Sequence, residues 1–157
     1  MSRAFTKEDD DEFALADIGE RPVSQERNLV TEEGLAQIDK HLSHLRDELG
    51  RAEKAGEREQ MALAYRDLRY WSARRENAEL SIPEPDETVV RFGMTVKIVN
   101  EEGKEAVWKI VGEDEADAAK GRISHVSPMA KALFGKAVGD VAVVNDSEWE
   151  IVKLNTK

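Results

Sequence analysis

Two heptad-spaced series of apolar residues on either side of one glycine constrain this chain more than any other feature. The first series repeats at alternating intervals of three and four residues and comprises Leu35, Ile38, Leu42, Leu45, Leu49 and Ala52. The second series follows Gly56 with the same intervals and comprises Met61, Ala64, Leu68, Trp71, Arg75, Ala78 and Ile82. Such intervals are typical of helices that pack along a seam, and glycine commonly ends a helix. The sequence therefore predicts an antiparallel coiled-coil hairpin over residues 30–82.

Capping residues and prolines delimit the predicted hairpin. Thr31 is a suitable N-cap, and the acidic residues that follow it suit the positive end of a helix dipole. Pro83 and Pro85 end the second helix and open a linker over residues 83–88. Arg75 interrupts the second seam, so we expect its stem to cover apolar surface while its guanidinium reaches water.

The last part of the chain, residues 89–157, has the short alternating runs of β-strands. Strands are predicted around residues 89–99, 106–111, 123–126, 141–144 and 148–154. Between the third and fourth strands, Ser127 caps a short helix that has Pro128 at its first position. The predicted fold class is therefore α+β, with the two-helix hairpin followed by an antiparallel sheet and one short helix.

The charge is strongly asymmetric along the chain. The net charge is −10, and residues 1–20 account for half of it with seven acidic and two basic side chains. Residues 1–29 have few sizeable apolar side chains and no clear period, which predicts an acidic flexible tail. Two interpretations remain open for this tail, a solvated segment or an arm that binds a basic partner. The acidic balance argues against direct gripping of nucleic acid.

The residue inventory excludes several kinds of active site. The chain has no cysteine, and its histidines are His41, His44 and His125. It therefore lacks a thiolate metal site and a cysteine nucleophile, and the first two histidines have no third ligand at clear spacing. No glycine-rich phosphate loop, nucleophile elbow, signal peptide or membrane-length apolar run is present. We expect a cytoplasmic protein without membrane association, with neither a cofactor nor a metal site of its own.

Four segments of the second half carry a resemblance to a known family. They are FGMTV at 92–96, IVGEDEAD at 110–117, ISHVSPMAKAL at 123–133 and GKAVGDV at 135–141. In these segments the chain resembles the Gre (GreA/GreB) family of bacterial transcription elongation factors. The resemblance covers residues 88–152, and the predicted hairpin matches the family layout back to about Leu29. The chain looks like a divergent member with a shortened coiled coil.

The resemblance implies a fold, a partner and a docking surface. It implies an FKBP-like C-terminal domain that docks at the rim of the secondary channel of core RNA polymerase. The hairpin would project toward the polymerase active site, close to the RNA 3′ end. The polymerase-binding residues implied are Asp114, Asp117, Ser127, Pro128 and Met129. The competing interpretation is that Ser127 is only a helix cap and Asp114 only a solvated charge.

In this family, carboxylates at the hairpin tip help to hold a Mg²⁺ ion shared with the polymerase, which then cleaves backtracked transcripts. The candidates here are Glu57 and Glu59, and the competing interpretation is that both are exposed charges at a helix N-terminus. Gln60 falls on the essential glutamate of the family pattern, and a neutral amide is a poor Mg²⁺ ligand. Each arm lacks about ten residues, or roughly 15 Å of reach. We therefore expect a monomeric regulator of elongation, with cleavage weak or absent.

Two other functions remain open from the sequence. An FKBP-like sheet is compatible with a peptidyl-prolyl isomerase, although fold alone does not imply activity. A coiled-coil hairpin is also compatible with a generic interaction module. A separate question concerns a basic stripe on the second helix, which comprises Arg66, Arg69, Arg74 and Arg75. It could face RNA or an acidic surface of the polymerase. The competing interpretation, favoured by the acidic residues interleaved with these arginines, is a solvated helix face.

Overall fold

A computed structural model describes residues 18–157, and these residues form two compact units. The hairpin unit contains residues 18–25 and Ala36–Asn77, and the sheet unit contains Glu26–Leu35 and Ala78–Lys157. Most of the predicted acidic tail, residues 1–17, lies outside the described residues. Among residues 18–157, no helix combines the length and apolar character that crossing a membrane requires.

Helix α1 (Glu32–Ala55) and helix α2 (Arg58–Glu76) form the arms of the predicted hairpin. The chain reverses at Gly56, whose φ of 68° is accessible to glycine without steric cost. The Glu57 amide donates to the carbonyl of Ala52 across this turn, at 3.0 Å. The first seam is confirmed, because α1 buries Ile38, Leu42, Leu45 and Ala52.

The second seam departs from the prediction after Trp71. Arg74 is buried with 1% exposure, whereas Arg75 is exposed and its Nε donates to Asp39 at 2.8 Å. The buried face therefore takes a three-residue step from Trp71 to Arg74 where the heptad predicted a four-residue step, and the Arg75 guanidinium forms an ion pair with Asp39 in solvent instead of lying on the seam. Ile82 is also outside the seam, with 58% exposure.

A two-stranded parallel ribbon replaces the predicted last turn of the second helix. Strand β1 (Asn28–Val30) pairs with strand β2 (Ala78–Leu80). The boundaries predicted at residues 29 and 82 are therefore both wrong in detail, since residue 28 already belongs to a strand and α2 ends at Glu76. Three-residue strands are too short to show a period, which is why the hydrophobic pattern did not indicate them.

Five further strands form the main sheet of the sheet unit, with spatial order β5-β4-β3-β7-β6. Their bounds are Thr95–Asn100 for β3, Glu105–Val111 for β4, Arg122–Ser124 for β5, Val141–Val144 for β6 and Ser147–Asn155 for β7. The neighbours are antiparallel except β4 and β5, which are parallel. The α+β class is confirmed, but the predicted all-antiparallel sheet is wrong because the ten-residue connection after β4 returns the chain in the same direction.

The first predicted strand is shorter than expected at its start. The ladder begins at Thr95 rather than Val89, which makes only an isolated bridge to Ala137. Between them Gly93 has a φ of 85°, which interrupts the extended backbone. Helix α3 (Pro128–Leu133) covers the inner face of the sheet. The buried core shared by sheet and helix comprises Val90, Phe92, Val96, Ile98, Ile110, Ala130, Leu133, Ala142 and Ile151.

Candidate functional site

The tip of the hairpin carries both candidate carboxylates on solvent-exposed backbone. Glu57 occupies the N-cap position of α2, and its side chain makes no capping hydrogen bond. Its carbonyl oxygen accepts from the Met61 amide at 3.0 Å. Glu59 lies in the first turn of the helix, where an acidic side chain suits the dipole. Glu57, Glu59 and Gln60 are all exposed.

A shallow groove of ≈430 Å³ at the tip is lined by some of these side chains but not by all of them. It runs along the hairpin from the tip, and its lining comprises Leu45, Glu48, Arg51, Ala52, Ala55, Glu57, Gln60, Leu63, Ala64 and Asp67. Glu57 and Gln60 therefore share one face of the tip. Glu59 does not line the groove, so the structure does not bring the two candidate carboxylates together there.

The tip does not fit a self-contained magnesium site. Within residues 18–157, no group of three or more acidic or histidine side chains is placed to hold a metal ion. Of the two groove-facing tip residues, only Glu57 has the carboxylate that a hard cation prefers. An ion at this position would need most of its ligands from another molecule.

Tyr65 connects the two arms of the hairpin about two helical turns from the tip. Its hydroxyl donates to Glu53 Oε1 on the opposite arm at 3.2 Å. This hydrogen bond and the negative charge of Glu53 raise the pKa of Tyr65. The tyrosine is 43% exposed, so the contact is a surface one.

Glu115 anchors the acidic loop of the sheet unit in a way the sequence did not reveal. It ends a 3₁₀ turn (Glu113–Glu115), and its side chain is buried. Its carboxylate accepts from the backbone amides of Thr31 and Gly112, both at 3.1 Å, and from the Thr31 hydroxyl. Thr31 Oγ1 in turn accepts from the Gly34 amide at 3.0 Å, which confirms the predicted N-cap of α1.

Two glycines make room for this buried carboxylate. A Cβ on Gly34 would lie 2.2 Å from Glu115 Cδ, and one on Gly112 would lie 2.4 Å from the Leu29 carbonyl oxygen. Both distances are shorter than the contacts that Cβ atoms make in proteins, so a side chain at either position would force its neighbours to move. The glycine of the GEDEAD segment, Gly112, is therefore explained by the close approach of the loop to the backbone of β1.

Asp114 and Asp117 both belong to the loop that Glu115 anchors, and both are half-buried. Asp114 lies in the 3₁₀ turn. Asp117 exchanges two backbone hydrogen bonds with Arg122, at 2.9 and 3.0 Å, which fixes the loop to β5. The Arg122 guanidinium donates to Glu33 at 2.6 Å. Both ends of the acidic loop are thus held by the start of α1 and by β5.

The Ser127 side chain performs the capping role that the sequence predicted. Its hydroxyl oxygen accepts from the Ala130 amide at 3.2 Å at the start of α3. Pro128 is exposed at the first helical position, and Met129 packs partly against the core. The acidic 3₁₀ turn and α3 both contact β5. Helix α3 also contacts β6, so what the five predicted docking residues share is that they lie on elements next to β5.

His125 is a buried residue beside this surface, and no motif or spacing indicated its role. Its ring packs edge-to-face on Phe92, with centroids 5.6 Å apart. Burial lowers the pKa of His125, partly opposed by the charge of Glu113 and by a hydrogen bond to the Arg27 backbone. Its Nε2 atom has no hydrogen-bond partner among the described residues. Burial thus disfavours the charged form of this histidine, which lies next to the segment that carries Ser127.

Comparison with known proteins identifies the family. Residues 84–156 match the family described as "Transcription elongation factor, GreA/GreB, C-term". The chain is 58% identical over 70 residues to transcription elongation factor GreA of Bradyrhizobium diazoefficiens, with 41% of this chain and 45% of the relative covered. It is 40% identical over 112 residues to GreA of Pseudomonas aeruginosa, with 66% of this chain and 70% of the relative covered.

Solved structures give a weaker likeness over more of the chain. GreA factor homolog 1 of Thermus thermophilus has 19% identity and a TM-score of 0.41, with 83% of this chain and 99% of that chain covered.

The match to the Bradyrhizobium relative spans less than half of that protein's length. The Pseudomonas match extends over two thirds of its relative at well above 30% identity. This chain belongs to the GreA/GreB family of transcription elongation factors.

Proposed function

We propose that the protein regulates transcription elongation by binding core RNA polymerase at the rim of its secondary channel. The observation that carries this proposal is the family match over residues 84–156, which includes all five predicted docking residues. The same match favours this function over the prolyl isomerase and the generic interaction module. The protein would act on the polymerase as a monomer in the cytoplasm rather than as an enzyme on its own.

The docking surface is the side of the sheet unit formed by the acidic loop and the start of α3. Its support is rigid: Glu115 accepts from buried donors inside the loop, and Ser127 caps the helix on the other side. A surface held in one conformation loses little conformational entropy on binding. Asp114, Asp117 and Pro128 are the members that offer charge and exposed surface to a partner.

The hairpin tip would approach the polymerase active centre with one groove-facing carboxylate rather than an acidic pair. Glu57 and Gln60 share that face, and Glu59 does not line it. We propose that Glu57 contributes one oxygen ligand to a Mg²⁺ ion held mainly by the polymerase. Because a neutral amide binds a hard cation poorly, the protein would stimulate transcript cleavage weakly or not at all.

Binding is tested with the purified full chain, core polymerase and two charge variants. Asp114→Asn is expected to weaken binding at least tenfold, about 1.4 kcal/mol, because it removes a charge from the docking surface. Glu102→Gln removes the same charge from an exposed turn elsewhere in the sheet unit and is expected to bind like the wild type. No binding by the wild type, or equal loss in both variants, would contradict the proposed surface.

Cleavage is tested on stalled, backtracked elongation complexes. The wild type is expected to release little cleaved RNA, and Gln60→Glu to raise the rate about tenfold by restoring a carboxylate beside Glu57. Gln37→Glu adds the same charge to an exposed position on α1 and serves as the matched control. Robust cleavage by the wild type that Glu57→Ala abolishes would refute the view that this member is a weak cleavage factor.

A further inference from the structure

Strand β6 is an open edge of the five-stranded sheet. It pairs with β7 on one side, and no strand among residues 18–157 pairs with its other side. The opposite edge is closed in part, because Arg122 on β5 exchanges two backbone hydrogen bonds with Asp117. An open strand presents unpaired amides and carbonyls that can accept another strand.

The turn before β7 determines which backbone groups of β6 face outward. Asn145 and Asp146 both have positive φ, 51° and 63°, as in a two-residue type I′ hairpin turn. The flanking pair, Val144 and Ser147, is then a hydrogen-bonded pair of the ladder. Alternation along the strand directs the amide and carbonyl of Val143 away from β7, and those of Val141 likewise. The open edge therefore offers up to four backbone hydrogen bonds.

The same two residues expose apolar side chains on the outer face of the sheet. Val141 is 47% exposed and Val143 is 61% exposed. Between them Ala142 is buried and faces the core. The edge lacks the proline, lysine or inward-pointing charge that commonly blocks pairing of edge strands.

Acidic side chains follow this edge. Glu150 lies opposite Val141 on β7, and Glu148 lies opposite Val143, so each exposed valine has a carboxylate beside it on the outer face. Neither glutamate makes an ion pair within the described part of the chain. A groove of ≈310 Å³ continues the acidic surface past the turn, and its lining comprises Asn100, Glu101, Glu102, Asp146, Ser147 and Glu148.

We propose that β6 binds an extended segment of another protein that carries lysine or arginine at alternate positions. The segment adds a sixth strand antiparallel to β6, with its basic residues opposite Val141 and Val143. There the aliphatic stem of a basic side chain covers the valine while its charge reaches Glu148 or Glu150 on the next strand. Neighbouring strands are about 4.8 Å apart, so a side chain on the added strand must span about two strand spacings to reach a glutamate on β7. A lysine is long enough for this, and a short side chain is not.

Charge favours such a segment over a second copy of this chain. Two copies paired through β6 would align their own acidic residues along one continuous sheet, without any basic residue in Val141–Val144 to offset them. A basic partner removes that repulsion. The site lies at the opposite edge of the sheet from β5, the strand that carries the acidic loop of the proposed polymerase-docking surface.

The test uses the full chain and an eight-residue peptide of alternating valine and lysine with blocked ends. Binding is followed by NMR of the backbone amides. We expect shifts and slowed hydrogen exchange at Val141 and Val143, and at least tenfold weaker binding of the matching valine–glutamate peptide. N-methylation of the lysine amides should abolish binding because those amides face β6, whereas N-methylation of the valine amides should be tolerated.

Variants of the chain separate strand pairing from general charge attraction. Val143→Pro removes an outward-facing amide at an edge position where proline is tolerated. Val143→Lys keeps the backbone and adds repulsion, and each is expected to weaken binding at least tenfold. Val107→Lys is the matched control, since Val107 is 52% exposed on the internal strand β4, and it should bind within twofold of the wild type.

Three results would overturn the proposal. The first is that the valine–lysine peptide does not bind, and the second is that Val107→Lys weakens binding as much as Val143→Lys. The third is concentration-dependent dimerisation of the chain without peptide, measured by sedimentation and lost in Val143→Lys, which would assign the edge to a second copy.

Discussion

Replacing Glu115 by alanine tests whether one buried carboxylate fixes the acidic loop at residues 112–117 to the start of α1. The wild-type carboxylate accepts from the backbone amides of Thr31 and Gly112 and from the Thr31 hydroxyl. All of these contacts are buried. Alanine leaves the two buried amide donors without their side-chain acceptor.

The expected loss of stability follows from these two amides. A buried donor left without its acceptor costs about 1–3 kcal/mol, so the pair costs about 3 kcal/mol after partial relaxation. The sheet unit has about 90 residues, for which each kcal/mol lowers the Tm by about 4–8 °C. We expect the Tm of this unit to fall by about 12 °C or more. Glu115→Gln retains an acceptor oxygen and is expected to lose about half as much.

Denaturant unfolding followed by tryptophan fluorescence measures the free energy, and amide hydrogen exchange locates the change. Faster exchange is expected at Thr31 and Gly112 before it spreads through the sheet. Glu32→Ala serves as the control, because Glu32 is exposed on the same helix end and should cost less than about 1 kcal/mol. A Glu115→Ala protein within about 0.5 kcal/mol of the wild type would refute the anchoring role.

Two further predictions concern residues beside the same surface. Burial lowers the pKa of His125 in the folded state, so the unfolded chain takes up a proton first as the pH falls below about 6.5. The wild type should therefore lose stability in this range relative to His125→Gln. Parallel curves of unfolding free energy between pH 7.5 and 5.5 would contradict this. Ser127→Ala should cost about 1 kcal/mol of unfolding free energy by removing the cap of α3, whereas Ser127→Asp should restore both stability and polymerase binding if capping is its only role.

Features with a long period or a strong local signal were predictable from the sequence. The α1 seam, the Gly56 turn and the Ser127 cap each depend on residues within a few positions of one another, and the structure has all three. The parallel pairing of β4 with β5 was not predictable, because it depends on the path of an irregular ten-residue connection. Local pattern does not encode such a path.

Residues at the candidate sites divide in the same way. Glu57 and Glu59 were recognisable as tip carboxylates, but their different orientations to the groove depend on helix phase, which sequence spacing gave only approximately. The roles of Glu115 and His125 were not predictable from the sequence, because they depend on contacts with residues far along the chain. Thr31 lies 84 positions from Glu115. In an acidic loop, one buried glutamate among several exposed acids has no signature in the sequence alone.

The arrangement of the acidic loop gives a physical reason to separate binding from cleavage in this protein. The docking side retains its internal support, with Glu115 and Ser127 both satisfied by hydrogen bonds. The tip retains its turn and the Tyr65–Glu53 contact between the arms, yet presents Gln60 beside Glu57 on the groove face. A change of one acid to an amide leaves backbone and packing intact while it removes a charge that a cation requires. If the proposed function holds, such a protein binds the polymerase at its secondary channel without strongly promoting cleavage there.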